Sequence, residues 1–125
     1  MTDATGTNPL PTRLVIVLTG LSADAPEAAA LPFRYAATAA AMDVGVEMHA
    51  VGRAVTLFRR GTCAVGLLEQ IRSATALGAS IFVCPQALVE QGLRADDLIE
   101  EVSGVRGAAS MLGAGLEPGA RFLSF

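Results

Sequence analysis

From Leu14 to Leu18 the chain is continuously aliphatic and Gly20 closes the run, which predicts a strand buried on both faces of a parallel sheet. The period then changes. Between Pro26 and Asp43 alanine dominates, around Leu31, Phe33, Tyr35 and Met42, and the strongest intrinsic helix former predicts a helix there. Pro32 conflicts with a helix interior, so the regular helix is expected either to begin near Leu31 or to kink at that point. β-Branched residues return over Val46–Val51 ahead of Gly52, predicting a second strand. The stretch "RAVTLFRRG", residues 53–61, fits a short helix with Val55, Leu57 and Phe58 inward. Thr62 is a suitable N-cap for a longer helix over Cys63–Leu77, where Val65, Leu68, Ile71, Arg72 and Thr75 fall on adjacent helical rows before Gly78.

The second half repeats the alternation in shorter pieces. "SIFVC", residues 80–84, predicts a third strand, followed by a short helix over Pro85–Gln91 and a turn at Gly92. Asp96 and Asp97 suit the positive end of a helix starting near Ala95 or Asp96. A short fourth strand is expected within Val102–Val105, a helix over "RGAASML" (106–112), a turn over "GAGLEPGA" and a terminal strand over "RFLSF" (121–125). Strands alternating with helices imply an α/β fold, an open and mainly parallel sheet of about five strands flanked by helices. Residues 1–12, with Pro9 and Pro11 among small polar residues, show no period and read as a flexible leader to one domain over residues 13–125.

Composition narrows the function classes. A chain of 125 residues fits one core, and at 52% apolar and 17% charged it is far from the disordered class and richer in apolar surface than most small domains. Some of that surface is expected to meet another subunit. The net charge is −3 and the nine basic residues are all arginine, which leaves no basic footprint for nucleic acid and no primary amine for a Schiff base or a phosphate-gripping P-loop. Arg13, Leu14–Leu18 and the small residues Ser22–Ala25 loosely mimic a signal peptide, but the apolar stretch is too short for one or for a membrane span. Two cysteines, Cys63 and Cys84, without a recognisable export signal point to free thiols in a reducing compartment, the cytoplasm by default.

Cys84 carries the candidate chemistry. It falls where a strand gives way to a helix, at the sheet edge toward which helix N-termini turn their unpaired amides. Pro85 suits the first helical position, making Cys84 an N-cap whose sulfur can accept from the amides of Gln86 or Ala87, a setting that favours thiolate. The residue types alone leave open an inert buried thiol at the same position. Cys63, at the start of the helix leading into the third strand, is a candidate second thiol or a packing residue. His49 alternates with Glu47 along the second strand and reads either as an acid or base or as a half-buried strand histidine. Arg53, Arg59 and Arg60 form either a solvated face or a cationic surround for a thiol. Cys63, Cys84 and His49 lack the close-spaced pair expected of zinc ligands, and Gly104, Gly107, Gly113 and Gly115 do not make a dinucleotide fingerprint.

Three segments, "LPFRYAATAAAMDVGVEMHAVGRAVTLFRRG", "LLEQIRSATALGASIFVCPQALVEQGL" and "DDLIEEVSGVRGAASML", resemble the DsrE/DsrF-like family of small sulfur-relay proteins. The most specific part is the order of an alanine-rich helix ending in Met-Asp, a Val-rich strand, then strand, cysteine, short helix and glycine, then "DDLI". The resemblance covers nearly everything after residue 13. It implies flavodoxin-like layering, a homo-oligomer built on trimers or hexamers, and a cysteine after the third strand, here Cys84, carrying sulfane sulfur as a persulfide between donor and acceptor proteins. No cofactor, metal, nucleic acid or membrane is called for. The family also contains members without established activity, so a noncatalytic oligomeric binding or regulatory protein of the same fold is the rival expectation.

Overall fold

The computed structural model describes residues 11–61 and 63–125, and over these the expected alternation is present. Strand β1 (Arg13–Leu18) leads to helix α1 (Pro26–Ala41), β2 (Gly45–Ala50), α2 (Val65–Ala76), β3 (Ser80–Val83), α3 (Pro85–Glu90), β4 (Gly104–Val105), α4 (Ala108–Gly115) and β5 (Ala120–Ser124). The described strands form one five-stranded sheet in the order β4-β3-β2-β1-β5, and every pairing is parallel. The chain therefore steps outward from β1 to β4 and then crosses back to the far side of β1. Because parallel crossovers are right-handed, that reversal sends α4 to the opposite face of the sheet from α1 and α2.

Side-chain alternation shows the two faces. Ile16, Leu18, Val46, Met48, Ala50, Ile81 and Val83 join one buried cluster with Phe33, Leu67 and Ile71 from α1 and α2. The residues between them, Val15, Glu47, His49 and Phe82, point the other way. There α4 lies over β1 and β5. Its Gly115 is a close approach, since a Cβ at that position would overlap the ring of Phe122, the register partner of Val15.

Several expected boundaries move. Helix α1 runs without a break from Pro26 to Ala41 with Pro32 inside it. The proline forfeits one bond to the carbonyl of Ala28, which lies in the exposed first turn, while Pro32 itself is buried. The helix expected over Cys63–Leu77 begins at Val65, with Ala64 in the N-cap position, so Cys63 precedes it; the cap expected at Thr62 lies outside the described residues. Residues Gly52–Phe58 form a 3-10 helix, and near Ala95 only a 3-10 turn forms, Ala95–Asp97, closed by the bond from the Arg94 amide to the Asp97 carboxylate. Helix α4 starts two residues later than expected and absorbs "GAG" from the predicted turn. Of the expected leader, residues 1–10 lie outside the described residues, whereas Thr12 is tied at both sides, donating to the carbonyl of Gly119 and accepting from the amide of Gly45.

A candidate functional site at the end of β3

Cys84 follows the last residue of β3 and occupies the N-cap position of α3 with extended dihedrals, φ −73° and ψ 127°. Its amide donates to the carbonyl of Ala50 at 3.0 Å, continuing the ladder to β2, and its carbonyl accepts from Leu88 at 3.1 Å, opening α3. Pro85 is at the first helical position, as its missing amide favours. The sulfur makes no capping hydrogen bond, contrary to expectation, and the thiol is half-buried.

The neighbouring strand closes the other side. Arg106, directly after β4, donates its amide to the carbonyl of Val83 at 3.0 Å. Gly107 then caps α4, and a Cβ built on it would stand 4.0 Å from Cδ of Pro85, so the amide ends of α3 and α4 lie side by side. Ala87 and Leu88 of α3 belong to the core on the α1 and α2 face, whereas α4 crosses to the other. The connections leaving β3 and β4 thus diverge, which is the kind of switch point where open α/β sheets hold ligands. The first-turn amides of each helix have no partner within their own helix, which favours negative charge near such ends.

A charged cluster covers the sheet face beside this point. Glu47 receives the His49 imidazole at 3.2 Å through Nε2, the Arg13 guanidinium at 3.5 Å and the Arg106 guanidinium at 3.9 Å. Arg13 also bonds Glu117 at 3.0 Å. Arg106 lies 4.0 Å over the Phe82 ring, and Phe82 in turn packs against His49 with centroids 5.3 Å apart. His49 is 2% exposed and its Nδ1 has no hydrogen-bond partner among the described residues. Burial holds this imidazole below the ordinary value of 6.5; the hydrogen bond and charge of Glu47 oppose that, and Arg106 adds to it.

Cys63 stands in different surroundings. Burial raises its thiol pKa, the Glu101 carboxylate raises it further, and Arg72, bonded to Glu101 at 3.1 Å, pulls weakly the other way. Arg60, expected near a thiol, instead fastens the loop before β4, with its amide on the Asp97 carbonyl at 2.7 Å and its guanidinium on the Leu98 carbonyl at 3.0 Å. Arg59 forms an isolated antiparallel bridge with Leu98, and the backbone carbonyl of Arg53 accepts from the Thr56 hydroxyl. Among the described residues no three His, Cys, Asp or Glu side chains gather as metal ligands. The arginine held at the end of β3 is Arg106, bonded through its amide to Val83 and lying against Phe82 and Glu47, which residue spacing does not reveal because those neighbours lie on β2 and β3. The Glu47–His49 pair was visible as a strand alternation, though its burial was not.

Fold and site together describe a small all-parallel α/β protein with a cysteine where the third strand gives way to a helix. The chain belongs to the DsrE/DsrF-like family, whose pattern matches residues 13–124. Three solved structures share the fold. The ychN protein from E. coli superposes with a TM-score of 0.72 at 18% identity, covering 91% of this chain and 99% of that one. MTH1491 from Methanobacterium thermoautotrophicum, described as of unknown function, gives 0.69 at 20% identity, covering 90% and 98%. BT1422 from Bacteroides thetaiotaomicron, likewise of unknown function, gives 0.69 at 20%, covering 91% and 95%. No curated protein matches the chain significantly. Among the described residues no helix is long and apolar enough to cross a membrane.

Proposed function

We propose that this protein is a sulfur carrier or sulfurtransferase-like protein that accepts sulfane sulfur as a persulfide on Cys84 and passes it to a partner protein in the cytoplasm. The observation that carries the reading is the half-buried Cys84 thiol at the switch point, between the amide ends of α3 and α4. The Cys84 thiolate attacks the outer sulfur of a donor persulfide; the donor's S–S bond breaks, its electron pair leaves on the donor thiolate, and the sulfur stays on Cys84. An acceptor thiolate then attacks the outer sulfur of the Cys84 persulfide and returns Cys84 as thiolate. The free amides of α3 and α4 stabilise each anionic sulfur, and no redox cofactor enters the exchange. Cys63 is a weaker candidate for a second thiol, because burial and the Glu101 carboxylate disfavour its thiolate.

Intact-protein mass spectrometry after incubation with a polysulfide tests this. The expected result is one added sulfur per chain, mapped to Cys84, removed by reductant and absent in Cys84→Ser. An unmodified Cys84 overturns it. A noncatalytic oligomeric binding protein of the same fold is the second reading, and the exposed apolar residues Leu112, Leu116, Phe122 and Leu123, around the end of α4 and on β5, offer the surface it would use. In both readings those residues bury against further copies in a trimer or hexamer.

A further inference from the structure

We infer that Arg106 is a proton-operated cover: its guanidinium closes the sheet face over Phe82 while His49 is neutral, and swings out to solvent when His49 takes up a proton. The contacts that carry this meet at one carboxylate. His49 Nε2 and Arg106 Nη1 approach the same oxygen of Glu47, Oε1, at 3.2 Å and 3.9 Å, whereas Arg13 Nε takes the other, Oε2, at 3.5 Å. The Arg106 guanidinium also lies 4.0 Å over the Phe82 ring, and that ring packs against His49, its register partner, with centroids 5.3 Å apart. Arg106 is the outer layer here: its side chain is 49% exposed, Phe82 is 6% exposed, and α4 lies over β1 and β5.

Charge balance decides which cation leaves. The charged groups around the ring are Glu47 on its own strand, Arg13 on β1, Arg106 after β4 and Glu117 before β5; β3 (Ser80–Val83) and α4 (Ala108–Gly115) carry no titratable side chain. Two carboxylates face two guanidiniums, so the group is neutral as long as His49 is. A proton on His49 leaves one positive charge in excess in a partly buried place, where repulsion between cations is weakly screened. Arg13 is held twice, by Glu47 at 3.5 Å and by Glu117 at 3.0 Å. Among the described residues the Arg106 guanidinium has the 3.9 Å contact and the Phe82 ring alone. Burial holds the His49 ring below its ordinary value, Glu47 opposes this and Arg106 adds to it; by reciprocity, a proton on the ring loosens Arg106.

The tautomer sets where the proton goes. Glu47 accepts from Nε2, so the neutral ring keeps its lone pair on Nδ1, a buried atom with no hydrogen-bond partner among the described residues. A solvent proton bonds that lone pair, and no other covalent bond changes. The new Nδ1–H is a buried donor without an acceptor, which is costly, and departure of Arg106 relieves the cost by admitting water to the Phe82 and His49 pair. Glu47 Oε1 then belongs to the imidazolium. The backbone stays in place, because the Arg106 amide is bonded to the Val83 carbonyl at 3.0 Å, so the movement is confined to the side chain.

Nuclear magnetic resonance of the natural protein, from neutral pH into the range below 6.5, tests the cover without a variant that might not fold. The side-chain protons of Arg106 lie over an aromatic ring and are expected to be shifted upfield at neutral pH. On acidification they are expected to return to ordinary positions with the same midpoint as the imidazole signals of His49, the chain's one histidine. Arg106 signals that stay upfield while His49 titrates overturn the cover, and so does an imidazole that remains neutral until the fold is lost. Two variants then separate the coupling from a general effect of acid. In His49→Asn the Arg106 signals are expected to hold their upfield positions through the interval of the parent's transition, and in Arg106→Gln the His49 midpoint is expected to rise. Arg106 signals that move in folded His49→Asn as they do in the parent, or an unchanged midpoint in folded Arg106→Gln, overturn it as well.

Discussion

At the scale of single residues, two titrating side chains make opposite predictions for stability. His49 is held below 6.5, mainly by burial, so the unfolded chain binds a proton there more readily than the folded one. Stability is therefore complete above 6.5 and falls as pH drops through that value toward the lower folded-state pKa. Thermal unfolding is expected to show this slope in the intact protein and to lose it in His49→Asn. Cys63 is shifted upward by burial and Glu101, so its contribution is complete below the ordinary thiol value of 9.0 and declines as pH rises beyond it. Glu101→Gln is expected to speed Cys63 alkylation severalfold at pH 8, and an unchanged rate would count against the electrostatic account. Both residue types were visible in the sequence. Their environments were not, since Glu101 lies in the loop before β4 and Arg106 reaches Glu47 across two strand neighbours.

At the scale of elements, the join between β5 and the start of β1 is the point most exposed to a single substitution. Gly119 has φ +84°, and a Cβ there would also stand 2.7 Å from the Thr12 hydroxyl, whose backbone amide donates to the Gly119 carbonyl. Gly119→Ala is expected to cost about 1–2 kcal/mol in denaturant unfolding, from the left-handed backbone and the displaced Thr12. Gly113→Ala, in α4 with open space around it, is expected to be neutral or mildly stabilising in the same assay. The contrast separates the strained turn and its Thr12 contact from mere loss of glycine.

At the scale of the whole molecule, β5 closes the sheet as an edge strand, and the apolar residues around it remain open. Leu116 is 75% exposed and Phe122 43%, beside Leu112 and Leu123. Exposed apolar residues on a 52% apolar chain are expected to bury against further copies. Light scattering should give a mass that is a multiple of 12.8 kDa across a range of concentrations, and Leu116→Glu should lower it while leaving the helical circular dichroism unchanged. A persistent monomer would remove the oligomer and leave the chemistry of Cys84 untouched.

The sequence by itself determined the class of fold, the order of elements and the position of Cys84, because these depend on local period and on residues that start and stop elements. Leu14–Leu18 and Ser80–Val83 read as buried strands since both their faces are covered, and Pro85 after Cys84 marks a helix start wherever the chain runs next. Only the tertiary structure decided that β5 returns to the far side of β1, that α1 continues through Pro32, and that Glu47, His49, Phe82 and Arg106 meet on one sheet face. Those outcomes come from crossovers and register between strands far apart in sequence. A pairing of that range is set by the sum of packing over the whole sheet, and no local pattern of residues carries it.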